Sequence, residues 1–157
     1  EPLSRIRFAG FIKTTSIIAP HFAGADPALV SATTTKLLSY GMKRSAADWA
    51  DDEAVLATAA REVADVVRRN GCLIMPTAPQ AAFPHSQAAP ANQADFTCLA
   101  NIANLPAITI PAGWSEDGLP IGVQLVGQTG HEAGLFARAR ALEGALAAYR
   151  PPASFTH

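Results

Sequence analysis

Three short apolar runs, each closed by a chain breaker, constrain this sequence more than any other feature. Cys72-Leu73-Ile74-Met75 stops at Pro76, Ala107-Ile108-Thr109-Ile110 stops at Pro111, and Ile121-Gly122-Val123-Gln124-Leu125-Val126 stops at Gly127. They are short for helices, and the first has no polar alternation, which suits a strand buried on both faces. Between the second and third runs, Ser115-Glu116-Asp117-Gly118 is a turn, because Asp-Gly supplies the positive φ such a connection needs. A turn this short makes those two strands an antiparallel pair, so the expected sheet is mixed. Three strands make a thin sheet, and an incomplete one is expected to leave apolar surface uncovered.

Helices surround these strands. Asp26-Pro27 is a helix opening, with the helix expected to run to about Tyr40 and to stop at Gly41. Ser45 and Asp48 resemble a capping box with Asp in place of Glu or Gln. Beyond them Val55, Leu56, Ala59, Val63, Val66 and Val67 recur at three- and four-residue spacing, with Asp52, Glu53, Arg61, Glu62, Arg68 and Arg69 mostly on the other face. That amphipathic helix ends at Asn70-Gly71. Asp95 is expected to cap a short helix reaching about Ala103, and a last helix spans about His131 to Tyr149, ahead of Pro151-Pro152. From Pro76 to Gln93 the prolines Pro76, Pro79, Pro84 and Pro90 prescribe a loop. Strands linked by amphipathic helices define an α/β class with helices flanking a mixed sheet.

Composition narrows the function classes. Of 157 residues, 49% are hydrophobic and 16% charged, the opposite of a disordered chain. A formal charge of −1 provides no cationic field for nucleic acid or an anionic membrane. No apolar run approaches the roughly 20 residues that span a bilayer. Cys72 and Cys98 form no disulfide framework or zinc pattern, and a reducing, cytoplasmic setting is expected. Glu1-Pro2-Leu3-Ser4-Arg5 has neither an initiator Met nor the order of a secretion signal, so a preceding segment is expected.

Residues of catalytic type are present but scattered. His21, His85, His131 and His157 lie far apart, and Leu135 occupies the place where a His-Glu helix motif needs its second histidine, so no metal is expected. Gly127-Gln128-Thr129-Gly130 is neither a dinucleotide fingerprint nor a P-loop, and reads as chain reversal. No G-x-S-x-G elbow exists; Ser86 and Ser115 lie in loops, Cys98 sits on a short apolar helix, and nothing in the sequence marks Lys13, Lys36 or Lys43 as desolvated in the way a basic catalytic lysine must be. These residues assemble no catalytic constellation and imply no cofactor.

A resemblance adds to this reading. Leu73-Ile74-Met75-Pro76-Thr77-Ala78-Pro79, then Phe96-Thr97 with Asn101 and Leu105-Pro106-Ala107-Ile108-Thr109-Ile110-Pro111-Ala112-Gly113, then Leu119 to Gly127 resemble three blocks of the amidase signature family in the family's order. Gly41 through Trp49 also fits that family's helix junction. Asn104 stands where glycine is usual, a tolerable change if the backbone there is left-handed.

The resemblance implies that residues 1–157 are the C-terminal portion of one amidase-signature domain, lying downstream of the family's Ser–cis-Ser–Lys segment. It implies a parent that hydrolyses a small amide through an acyl-serine, with this chain alone inactive and no catalytic residue assigned within it. Thr77, Phe83, Pro84 and His85 are expected to wall the substrate pocket, and Asn101 and Gln124 to tie down structure near it. The implied partners are a small-molecule amide and the N-terminal segment; the oligomeric state is left open, a homodimer being one option. Two alternatives remain: a non-catalytic scaffold or binding domain, and part of the amidase-like component of a glutamine-dependent amidotransferase. In the latter, an aspartate three positions before the Thr of the helix block engages the glutamine ammonium; here that position is Ala94, with Asp95 one place along.

Overall fold

The computed structural model describes residues 1–151; His157 and Pro152 of the sequence reading lie outside the described residues. Contacts divide the chain into two units, the first covering Glu1–Ala59 and the second beginning at Ala60.

The first unit is helical. Helix α1 (Leu3–Ile18) buries Ile6, Ala9, Ile12 and Thr15 along one stripe. No helix is expected here from the sequence, because Phe8, Ile17 and Ile18 put apolar residues on the solvent side and blur the 3.6-residue period. Helix α2 (Ala32–Met42) is capped by Ser31, whose hydroxyl accepts from the Thr34 N–H. It begins later than expected, because Pro27–Leu29 form a separate 3-10 turn. Nor does it stop at Gly41. A Cβ there would lie 2.8 Å from the Ser16 backbone nitrogen, so glycine is required for close approach to α1, not to end the helix.

Helix α3 (Ala46–Asn70) opens on the expected capping box. The Asp48 N–H donates to Ser45 Oγ at 3.2 Å, and the Asp48 carboxylate accepts from the Ser45 N–H and hydroxyl at 3.1 and 2.8 Å. The Ser45 hydroxyl, then its N–H, hold the Asp48 carboxyl below the usual aspartate range. Asp52 departs from the expected polar face: its side chain is 1% exposed. Arg5 Nη1 lies 2.6 Å and Arg44 Nη2 2.8 Å from its two oxygens, with Arg44 Nε donating to Oδ2 at 3.0 Å. Two cations replace the water that a buried carboxylate loses. Arg5 also pairs with Asp51, and that bond is the first cause raising its pKa.

In the second unit, α3 reaches Gly71 (φ +77°), the left-handed exit expected of Asn70-Gly71. Strand β1 (Leu73–Pro76), helix α4 (Thr97–Ile102), strands β2 (Ala107–Trp114) and β3 (Pro120–Val126), and helix α5 (Glu132–Leu146) follow. The α/β class with flanking helices holds. The sheet order is β1-β3-β2 and both ladders are antiparallel; β1 and β2 run the same way but are separated by β3, so no parallel ladder forms among the described residues. Opposite Leu125 stand Ile74 on one side and Ile108 on the other. The hairpin turn is as expected: Gly118 has φ +73° and its N–H donates to the Ser115 carbonyl at 2.9 Å.

One sheet face packs Ile110 and Leu125 on Leu135 and Ala139 of α5. The other packs Val126 on Val67 and Ala100 of α3 and α4. Strand β1 is not buried on both faces as the sequence suggested. Helix α5 lies against β2 and β3, and Ile74 remains 55% exposed. Pro111 does not end β2 either. The strand continues to Trp114 through a bulge between Pro111 and Gly113, a place where a residue without an N–H is tolerated.

Helix α4 begins at Thr97 with Phe96 at the cap making no side-chain bond, so Asp95 is not its N-cap. Asn104 takes φ +52°, the left-handed backbone that makes glycine usual there. Helix α5 ends before Tyr149 because Ala147 turns left-handed (φ 48°). The Trp114 indole N–H then donates to the Ala148 carbonyl at 2.8 Å, and the Arg150 guanidinium lies 4.1 Å from the Trp114 ring centroid.

Candidate functional site

A concavity of the second unit lies where β1 runs out into the proline-rich loop. It is a groove of about 660 Å³, walled by Pro76–Ala82 on one side and by residues of β2 and β3 on the other. The geometry follows from the ladder. Met75 and Thr109 face Gln124 from opposite sides of β3, and the Thr77 N–H extends the pairing by donating to the Gly122 carbonyl at 3.0 Å.

Side chains two apart on a strand share a face, so Thr77 and Thr109 emerge on the same side of the sheet with Gly122 between them. The Thr77 hydroxyl donates to Thr109 Oγ1 at 3.2 Å across that glycine. A Cβ at position 122 would lie 2.9 Å from Thr109 Cγ2 and 3.1 Å from Thr77 Oγ1. Glycine here opens the space in which the two hydroxyls meet. Sequence reasoning singled out Thr77 but missed Thr109 and Gly122. Only the cross-strand register, invisible in one dimension, reveals them.

The other expected pocket residues are not brought to this groove. Phe83 is half-buried, and Pro84 and His85 are exposed, in a loop turn whose Gln87 N–H donates to the Pro84 carbonyl at 3.0 Å. Of the whole set, only Thr77 lines the groove. Asn101 is exposed and its Nδ2 donates to Thr97 O of its own helix at 3.4 Å. Gln124 is 3% exposed, yet its Nε2 has no partner among the described residues.

Other chemistry-bearing residues are accounted for locally. No group of three or more potential metal ligands occurs among the described residues. The Gly127–Gly130 turn serves packing and reversal. A Cβ at Gly127 would press on Leu135 at 3.2 Å, and the Gly130 N–H is taken by the Glu132 carboxylate at 3.0 Å. Glu132's own N–H and then that of Gly130 hold this carboxyl below its usual range. Burial pushes the Cys72 thiol up, which keeps it protonated and unreactive near neutrality. The Ser115 hydroxyl accepts from the Leu119 N–H and is committed to the hairpin. Asp95, whose carbonyl accepts from the Cys98 thiol, does not line the groove.

The fold recurs in solved amide-processing enzymes. A bacterial aryl acylamidase of the amidase signature family superposes with TM-score 0.73 at 18% identity, covering 97% of this chain and 37% of that one. Kluyveromyces lactis allophanate hydrolase gives 0.74 at 22% identity, with 92% and 25% covered. The chain belongs to the amidase family, whose model matches residues 14–136.

Among curated relatives, a component of the glutamyl-tRNA(Gln) amidotransferase of Granulibacter bethesdensis is 41% identical over 104 residues, 63% of this chain and 21% of that protein. The same component from Prochlorococcus marinus is 38% identical over 103 residues, 61% and 21% respectively. The chain thus spans about a fifth of the length of the curated relatives it matches. Among the described residues no helix is long and apolar enough to cross a membrane.

Proposed function

We propose that this chain is the C-terminal portion of an amidase-signature domain, and that the parent enzyme hydrolyses the carbon–nitrogen bond of a small amide. The family match over residues 14–136 carries the reading. The second unit contributes core and one pocket wall, with Thr77 at that wall. The nucleophile, the bridging serine and the lysine base belong to the upstream segment, since Lys13, Lys36 and Lys43 lie outside the motif the family uses.

The chemistry is acyl transfer. A neutral lysine takes a proton through the bridging serine as the nucleophilic serine oxygen attacks the amide carbon, and backbone N–H groups stabilise the oxyanion. Collapse expels the amine with a proton, and water then releases the acid from the acyl-serine.

A second reading is favoured by the curated relatives, which are components of glutamyl-tRNA(Gln) amidotransferases. Against it stands Ala94 at the position expected of the ammonium-binding aspartate, together with the position of Asp95 away from the groove. An amidotransferase role predicts copurification with partner chains and ammonia release from glutamine.

The test compares two proteins: this chain, and the product of its reading frame extended upstream of Glu1. The chain alone should release no ammonia from acetamide or benzamide above buffer. The extended protein should do so and carry an acyl adduct on one serine by intact mass. Serine-dependent turnover by the 157-residue chain, or an extended protein active only on glutamine, overturns the proposal.

A further inference from the structure

The first unit carries an apolar pocket to which the amide-hydrolase reading gives no role. It holds about 650 Å³ and lies among the end of α1, the 3-10 turn Ala19–Phe22 and α2. Its apolar walls are Ala19, Pro20, Phe22, Val30, Leu38 and Met42. That volume falls within the range of small-molecule sites. Ser16 and Gly41 also line it, at the place where the missing Cβ lets α1 and α2 meet. Phe22 and Met42 stay 41% and 79% exposed, so an apolar occupant gains by covering them.

The lining fixes the chemistry of that occupant. None of its residues is charged, and its hydroxyl side chains are Ser16, Thr35 and Ser39. Each spends its hydrogen on a carbonyl of its own helix or cap. Ser16 Oγ donates to the Lys13 carbonyl at 2.7 Å, Thr35 Oγ1 to the Ser31 carbonyl at 3.2 Å and Ser39 Oγ to the Lys36 carbonyl at 2.8 Å. An extended peptide seated here would bury carbonyls with no hydroxyl donor to meet them. A carboxylate fares worse. Helices α1 and α2 both end against the pocket, at Ile18 and Met42, with no basic residue in either last turn, so an anion faces the negative ends of two helices. His21 of the 3-10 turn and Lys43 beyond α2 are not among the lining residues. A hydrocarbon has no hydrogen bond to lose on entry.

We infer that this pocket of the first unit is a binding site for an uncharged small molecule with an alkyl body, held by burial of hydrocarbon and not by hydrogen bonds. The inference goes beyond the amide-hydrolase reading and does not rest on it.

The probes are 1-hexanol, 1-octanol and octanoate, titrated near neutral pH into the full 157-residue chain and followed by the amide chemical shifts of Ser16, Leu38, Ser39 and Gly41. Each buried methylene strengthens binding about four-fold, so 1-octanol should bind about 15-fold more tightly than 1-hexanol. Octanoate, of the same chain length, should bind about ten-fold or more weakly than 1-octanol. Ala23→Phe, at an exposed lining residue, should fill the pocket and abolish the shifts with the far-UV circular dichroism unchanged. Ser39→Ala should leave the affinity for 1-octanol unchanged, because the Ser39 hydrogen is already spent. Octanoate binding as tightly as 1-octanol, no gain from 1-hexanol to 1-octanol, or 1-octanol shifts that survive Ala23→Phe overturns the inference. So does another occupant. A dimer in sedimentation that 1-octanol leaves intact assigns the pocket to a second copy, and loss of the response in the extended protein assigns it to the upstream segment. Ammonia release from benzamide by the extended protein bears on the hydrolase reading and not on this pocket, so the two fail separately.

Discussion

Asp52→Asn should destabilise the first unit by about 2–3 kcal/mol. The substitution keeps shape but removes the charge that lies 2.6 Å from Arg5 and 2.8 Å from Arg44. Breaking a fully buried pair by removing one partner costs about 3–5 kcal/mol, because an uncompensated charge stays behind. Here the two arginine side chains remain 24% and 21% exposed and keep their contacts with Asp51 and Asp48, so water and those neighbours recover part of the loss. The contrast is Lys13–Glu53, whose side chains are 46% and 53% exposed. Lys13→Gln should cost less than about 0.5 kcal/mol and should lose its effect in high salt. Native-state hydrogen exchange of the slowest α1 amides reads the free energy within this unit alone. Equal effects of Asp52→Asn and Lys13→Gln, or an Asp52→Asn effect erased by salt, would refute the reasoning that burial sets the size.

Other outcomes follow from the same geometry. Leu125→Ala, at the centre of the α5-facing core, should cost about 2–5 kcal/mol in urea unfolding of the second unit. Asn104→Ala should cost about 1 kcal/mol because its φ of +52° disfavours a Cβ without a compensating local bond, while Asn104→Gly should be near neutral. The Asp48 carboxyl is held low in the folded state, so its stabilisation is fully present above the ordinary aspartate value near 3.8 and is lost as pH falls through the lowered one. The stability difference between parent and Asp48→Asn should therefore shrink below about pH 4, as followed by circular dichroism. Cys72, raised by burial, should alkylate with iodoacetamide more slowly at about pH 8 than a free peptide thiol.

Local signals in the sequence translated well where the governing interaction spans a few residues. The Ser45–Asp48 box, the Asn70-Gly71 exit and the Asp117-Gly118 turn each depend on backbone groups within one turn of chain, and all three form as expected. Elements failed where neighbours distant in sequence decide. Helix α1 has no clean polar face to announce it, Gly41 is inside a helix because Ser16 crosses it, and Asp52 is buried because Arg5 and Arg44 arrive to pair it. For the candidate site, the sequence offered Thr77 and the loop tip at Phe83 to His85, and the groove keeps only the first.

By itself, then, the order of residues determined the strand segments and the turns between them, because each depends on periodicity, capping and backbone preference along the chain, while the family resemblance was carried by the motif blocks alone. Which threonine meets which, across which glycine, was decided by the pairing of β1 and β2 on either side of β3. Register brings together positions 77, 109 and 122, and no local preference encodes a contact between residues that far apart.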